Sequence, residues 1–176
     1  MYRVHRIQII GPSNSESPHR TRNKNMDIAI TLHLLATIVW IGGMWFAHFA
    51  LRPAAATLEA PQRLALWAGV FRRFFLWVWV AIAVLFVTGF WIVLVEFQGF
   101  ANVKLYVHLM LGVATVMTAL FVYLFFVPYR NFRLAMSSNN TAQAAAALGR
   151  IRTVVSVNLV LGLFTTIAAA AGAYWF

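Results

Sequence analysis

Four stretches of this chain, Ile28–Leu51, Phe74–Val95, Leu105–Val127 and Thr153–Phe176, carry no acidic side chain, lysine or arginine. Each exceeds the roughly 20 residues that an α-helix needs to cross the hydrocarbon of a bilayer. Within lipid the backbone has no water to bond to, so a lone apolar segment satisfies its N–H and C=O groups by forming a helix. The second stretch is rich in aromatics that a strand could also use, yet its length and lack of internal turn signals favour a helix. With 62% hydrophobic and 10% charged residues, little chain remains for a soluble domain. The sequence therefore predicts an all-α, polytopic membrane protein, a bundle of four transmembrane helices over residues 27–176.

The net charge of +10 raises the question of nucleic acid, and its placement answers it. Arg52, Arg63, Arg72 and Arg73 lie between the first and second spans, and Arg130, Arg133, Arg150 and Arg152 between the third and fourth. Basic loops of this kind set orientation in a bilayer, and there is no long basic run or interleaved aromatic surface to grip a phosphate backbone. We expect these eight charges on the cytoplasmic side of a bacterial-type inner membrane, with both termini outside. The short connector after the second span has only Lys104.

Residues 1–26 form a polar, basic tail that reads as disordered. It has no apolar h-region and no small-residue cleavage site, so it is not a secretory signal. Composition changes abruptly at Met26, which points to that residue as the natural start and to the tail as a non-native extension. Absence of cysteine excludes thiolate metal sites and thiol redox chemistry. No glycine-rich nucleotide loop and no internal repeat is found, which argues against an ATP-driven machine. Pro61 followed by apolar residues at helical spacing, and an alanine-rich run at Thr141–Leu148 after residues able to cap it, predict short helical extensions of the spans.

Two histidines then stand out. Spans one and three run in the same direction, and His33 and His108 each follow the start of their span by a few residues. At about 1.5 Å per residue both imidazoles lie roughly 5–10 Å inside the outer hydrocarbon edge. Imidazoles in lipid are costly and usually point inward. Two facing imidazoles on separate helices can supply both axial ligands of a b-type haem. Gly112, one turn beyond His108, would let a flat ring approach, and Trp40, two turns beyond His33, would pack on its edge. Lys104 would meet a propionate, or else pair with Glu96 across the connector. The plainer reading is that each histidine bonds a threonine or carbonyl on a neighbouring helix, with Thr31, Thr37 and Thr115 available.

His48 is about 22 Å deeper than His33 and within about 60° of its azimuth on a regular helix. No other span has a histidine at that level, so His48 is expected at the interface near Arg52, Arg72 and Arg73. Asn158 is an inward polar group of the fourth span. Met44, Met110 and Met117 could join His33 and His108 around Cu(I), although methionine at helical spacing is more often packing.

The stretch from Leu32 and His33 through Trp40, Gly42 and Gly43 to Leu51-Arg52-Pro53 resembles the first helix of the copper-resistance protein D superfamily, which includes the HemJ-type protoporphyrinogen oxidases. Phe71–Phe74, Val87-Thr88-Gly89 and Asn102–His108 are similar to later segments of that group. The resemblance covers three of four spans and implies that His33 is a haem ligand and Lys104 a functional lysine. The last span lacks the acid and proline of the HemJ-type Arg-Asn-Glu-Pro motif, which weighs against protoporphyrinogen oxidation. His108 would close the second axial position and favour electron transfer. The expected function is thus a haem-b membrane protein, a possible oxidoreductase passing electrons to or from quinone or a respiratory partner. The alternative is a copper-handling protein. Homodimerisation is expected through the aromatic second span or the Gly/Ala-rich fourth.

Overall fold

The computed structural model describes residues 24–95 and 97–175. The basic tail at residues 1–23 and Glu96 lie outside the described residues, so the tail's disorder and the pairing of Glu96 with Lys104 do too. Five helices account for nearly all of the described chain. They are α1 (Lys24–Ala56), α2 (Ala60–Val95), α3 (Leu105–Phe126), α4 (Pro128–Ser137) and α5 (Thr141–Trp175). Four helical segments are long and apolar enough to cross a membrane, and the protein is a multi-pass membrane protein whose exposed apolar side chains, among them Leu76, Val87, Leu105 and Ile167, suit a lipid environment.

The helices outrun the apolar stretches at their basic ends, as Pro61 and the alanine run predict. The oxygen Oδ1 of Asn140 accepts from the Gln143 N–H at 3.0 Å and caps α5, satisfying a donor in its first turn. Helix α1 begins at Lys24, and Met26 is already buried within it. The third segment breaks at Pro128, which sits at the first turn of α4, where its missing N–H is not needed. At the connector Gly99 adopts φ of 117°, a conformation that a Cβ would disfavour.

Helix α1 pairs with α2, while α3 and α4 pack on α5. Contacts between the spans fix their sense. His33 meets Thr88 and Gly43 meets Phe74, so α1 and α2 are antiparallel. Tyr106 meets Gly172 and Met117 meets Gly162, while Ile41 meets Gly162 and His48 meets Ser156, so α1 and α3 both run opposite to α5 and parallel to each other.

Packing is uneven along the bundle. At the basic end Phe71 stacks on Phe75 at 5.1 Å, and Phe75 meets Tyr129 at 4.9 Å and Phe121 at 5.6 Å, each edge to face. Tyr129 and Phe132 come from α4, which continues the third span past Pro128 and closes this aromatic core. Such pairs add roughly 0.5–1.5 kcal/mol each beyond the area they bury. At the connector end, by contrast, α3 buries nothing among the described residues before Met117.

Helix α1 is also irregular. Ile38–Gly42 and Ala47–Leu51 are π-helical, with wider turns than the α-helix. The azimuth of His48 therefore cannot be indexed from a regular helix; its hydrogen-bond partner, Ser156, is on α5, whereas that of His33, Thr88, is on α2.

Candidate functional site

Helix α2 brings Thr88 against His33, and the ring's Nδ1 lies 2.8 Å from the Thr88 hydroxyl oxygen. That hydroxyl donates its own proton to the Val84 carbonyl at 2.6 Å. A hydroxyl has one proton, so Thr88 must accept from His33. This assigns the tautomer: Nδ1 carries the hydrogen and Nε2 keeps a free lone pair. A histidine whose Nδ1–H is held in this way is oriented as a metal ligand through Nε2. Gly89 supports the arrangement, because a Cβ there would sit 3.5 Å from Cε1 of His33.

The hydrogen bond matches the plainer sequence reading in kind but not in partner. Thr31, Thr37 and Thr115 each bond a backbone carbonyl of their own helix, whereas Thr88 had drawn notice only within the Val87-Thr88-Gly89 segment. Its signal was a polar residue beside a glycine in an otherwise apolar span.

His48 repeats the pattern at the other end of α1. Its Nδ1 lies 3.3 Å from the hydroxyl of Ser156, whose proton goes to the Arg152 carbonyl at 2.9 Å. Nδ1–H again donates and Nε2 is left free. The neighbour expected for His48 was an arginine cluster. Arg52 does share a cavity with it, while Arg72 and Arg73 are exposed.

His108 stands on the exposed side of α3 with no hydrogen bond among the described residues. Gly112 lies one turn along the same face, and a Cβ there would meet nothing within 4 Å. The depth expected for the pair does follow from contacts. Ile41 and Met117 meet at Gly162, and His33 and His108 stand eight and nine residues back along parallel helices, so their levels agree within about 2 Å. Trp40 is in the core, 3% exposed and edge to face with Phe121 at 6.5 Å; it lies about 10 Å along the helix from His33.

Lys104 is exposed immediately before α3. Met44 and Met117 are buried and Met110 half-buried. Asn158 is buried, as its inward reading predicts; its amide donates to the Met117 carbonyl at 3.1 Å, and its Oδ1 has no partner among the described residues. Among the described residues no three His, Cys, Asp or Glu side chains form a metal-sized cluster. The soft donors are strung out instead. Met44 lies about 16 Å below His33 along α1, and His48 a turn beyond it.

The model of one protein family, copper resistance protein D, matches residues 68–172, from α2 through α5. No curated protein and no solved structure matches the chain.

Proposed function

The chain belongs to the copper resistance protein D family, and from that premise we propose that it handles copper ions within the membrane, with His33 as the first donor. The observation that carries this reading is the His33–Thr88 bond, which leaves Nε2 free to ligate. Cu(I) favours imidazole and thioether ligands. With no cysteine in the chain, the donors it can offer are histidine and methionine. A copper ion is here cargo, passed among widely spaced ligands: His33 near the connector, then Met44 and Met117 in the buried middle, then His48 near the loop arginines. Spaced donors suit transfer, since a closed cluster would hold the ion.

A second reading is favoured by the matched depth of His33 and His108. In it His33 and His108 would hold a haem b, with Gly112 and Lys104 beside it. Haem would supply one-electron redox chemistry and link the protein to quinone or a respiratory partner. His33 fits this role through its fixed Nε2, and Gly112 through the space above it. The chain's own residues would orient the ligand, keep its Nδ1 proton on Thr88 and exclude water with the apolar spans.

One set of measurements separates the two. Purified protein is analysed for copper and iron, titrated with Cu(I) against a chromogenic chelator, and examined by reduced-minus-oxidised visible spectroscopy. Copper handling predicts Cu(I) binding that weakens at least tenfold in His33→Ala and persists in His108→Ala. Bands of b type that vanish in both variants would replace it with the haem reading. An orientation with the loop arginines on the cytoplasmic side of an inner membrane is part of the proposal, supported by the charge asymmetry between the two ends.

A further inference from the structure

Two cavities at the basic end of the bundle meet at Arg152. The first, about 280 Å³, is walled mostly by apolar side chains including Phe46, Trp67, Phe71 and Phe74, with His48 among them, and it runs along α1 from Gly43 to Arg52, about 14 Å at the helical rise. The second, about 210 Å³, is lined by Arg63 and Thr141 among others, and Arg152 lines both. One is a greasy slot at membrane depth. The other is a basin next to the loops, where Arg63, Arg152 and Thr141 stand among alanine and leucine side chains.

The groups around them are charged on one side only. Arg52 and Arg63 lie close enough to repel the Arg152 guanidinium. The sole described acid at this end, Glu59, forms no ion pair among the described residues. Two buried donors also have no acceptor there: the indole Nε1 of Trp67, whose residue is 3% exposed, and Nε of Arg152. Arg152 lies over the Trp67 ring, 5.4 Å from its centroid, so the two donors are neighbours.

We propose that this end of the bundle binds one anionic phospholipid, its phosphate taken by Arg63 and Arg152 and one acyl chain lying in the apolar slot. The guanidiniums of Arg63 and Arg152, which line the basin, would hold the phosphate by charge-assisted hydrogen bonds. A zwitterionic lipid would bring a cation into a site that already holds three guanidiniums, and a quinone would leave their charge unmet. The apolar slot distinguishes a lipid from a soluble anion, for which the basin alone would suffice.

The test uses the full chain, purified and delipidated in mild detergent, with lipid binding followed by native mass spectrometry. Phosphatidylglycerol should be retained at least tenfold more tightly than phosphatidylcholine with the same chains. Arg152→Gln should abolish that preference, and Arg152→Lys, which keeps charge but loses the guanidinium's fork of donors, should retain only part of it. Arg63→Gln should weaken phosphatidylglycerol severalfold, while Arg130→Gln, at an exposed position on α4, should change nothing. Equal retention of the two lipids, or an unchanged preference in Arg152→Gln, would overturn the proposal. So would complete displacement of phosphatidylglycerol by millimolar inorganic phosphate or by a quinone of equal chain length.

Discussion

Thr88 holds His33 as an acceptor and not as a donor, because its only proton is given to Val84 at 2.6 Å while the imidazole nitrogen stands 2.8 Å away. The consequence reaches across the ring: Nδ1 is protonated and Nε2 is the atom that can meet a metal.

Replacing Thr88 by valine keeps the shape and deletes the acceptor. Metal affinity should fall roughly 10- to 100-fold, as for other supports of a ligating histidine, and stability should drop by about 1–3 kcal/mol for the orphaned Nδ1–H. Thr88→Ser should restore most of both. Chelator competition and thermal unfolding in detergent measure the two effects, and an affinity unchanged in Thr88→Val would remove Nε2 of His33 from the site.

The glycines divide sharply. A Cβ at Gly43 would run into the Phe74 ring, and one at Gly172 would come within 2.6 Å of Tyr106, whereas Gly112 faces open space. Gly43→Ala and Gly172→Ala should therefore each destabilise by about 1–3 kcal/mol. Gly112→Ala should be neutral or stabilising by up to about 1 kcal/mol. A bulkier Gly112→Leu would then probe the ring face: loss of haem bands without loss of melting temperature is expected only if a haem lies there.

The aromatic core carries the basic end. Phe75 is 2% exposed and meets Phe71, Phe121, Phe125 and Tyr129. Phe75→Ala should cost about 3–5 kcal/mol, against little for Trp77→Ala two residues on, which is 59% exposed. Comparable losses in the two variants, followed by unfolding in a fixed detergent, would contradict this division.

Because the chain has no cysteine, single cysteines report topology cleanly. A Gln98→Cys variant in spheroplasts should react with a membrane-impermeant maleimide, and Ser138→Cys only after permeabilisation. The reverse pattern would invert the orientation.

The four spans were legible because lipid leaves an uncharged apolar run few alternatives, and the matched levels of His33 and His108 followed from the constant helical rise. Facing directions were harder to read. The π-helical stretch between His33 and His48 means that the facing of His48 cannot be indexed from a regular helix, a local backbone choice that the residues of Ile38–Gly42 do not announce. Thr88 was hidden because hydroxyls in apolar helices usually bond their own backbone, as Thr115 does, and only the contact between α1 and α2 adds a second partner. The packing of Trp40 edge to face with Phe121 was not legible either, because its spacing from His33 says nothing of which residue of α3 it meets.

The widened turns of α1 give this helix a property that a regular one lacks. Its two ends are geared separately: His33 engages α2 and His48 engages α5, although a single rod carries both. Deleting one residue within Ile38–Gly42 would tighten that turn and re-index everything beyond it, so a length change of one should uncouple His48 from Ser156 while sparing His33. Chain length inside the span is thus as much a determinant of which helices the histidines serve as the identity of any side chain.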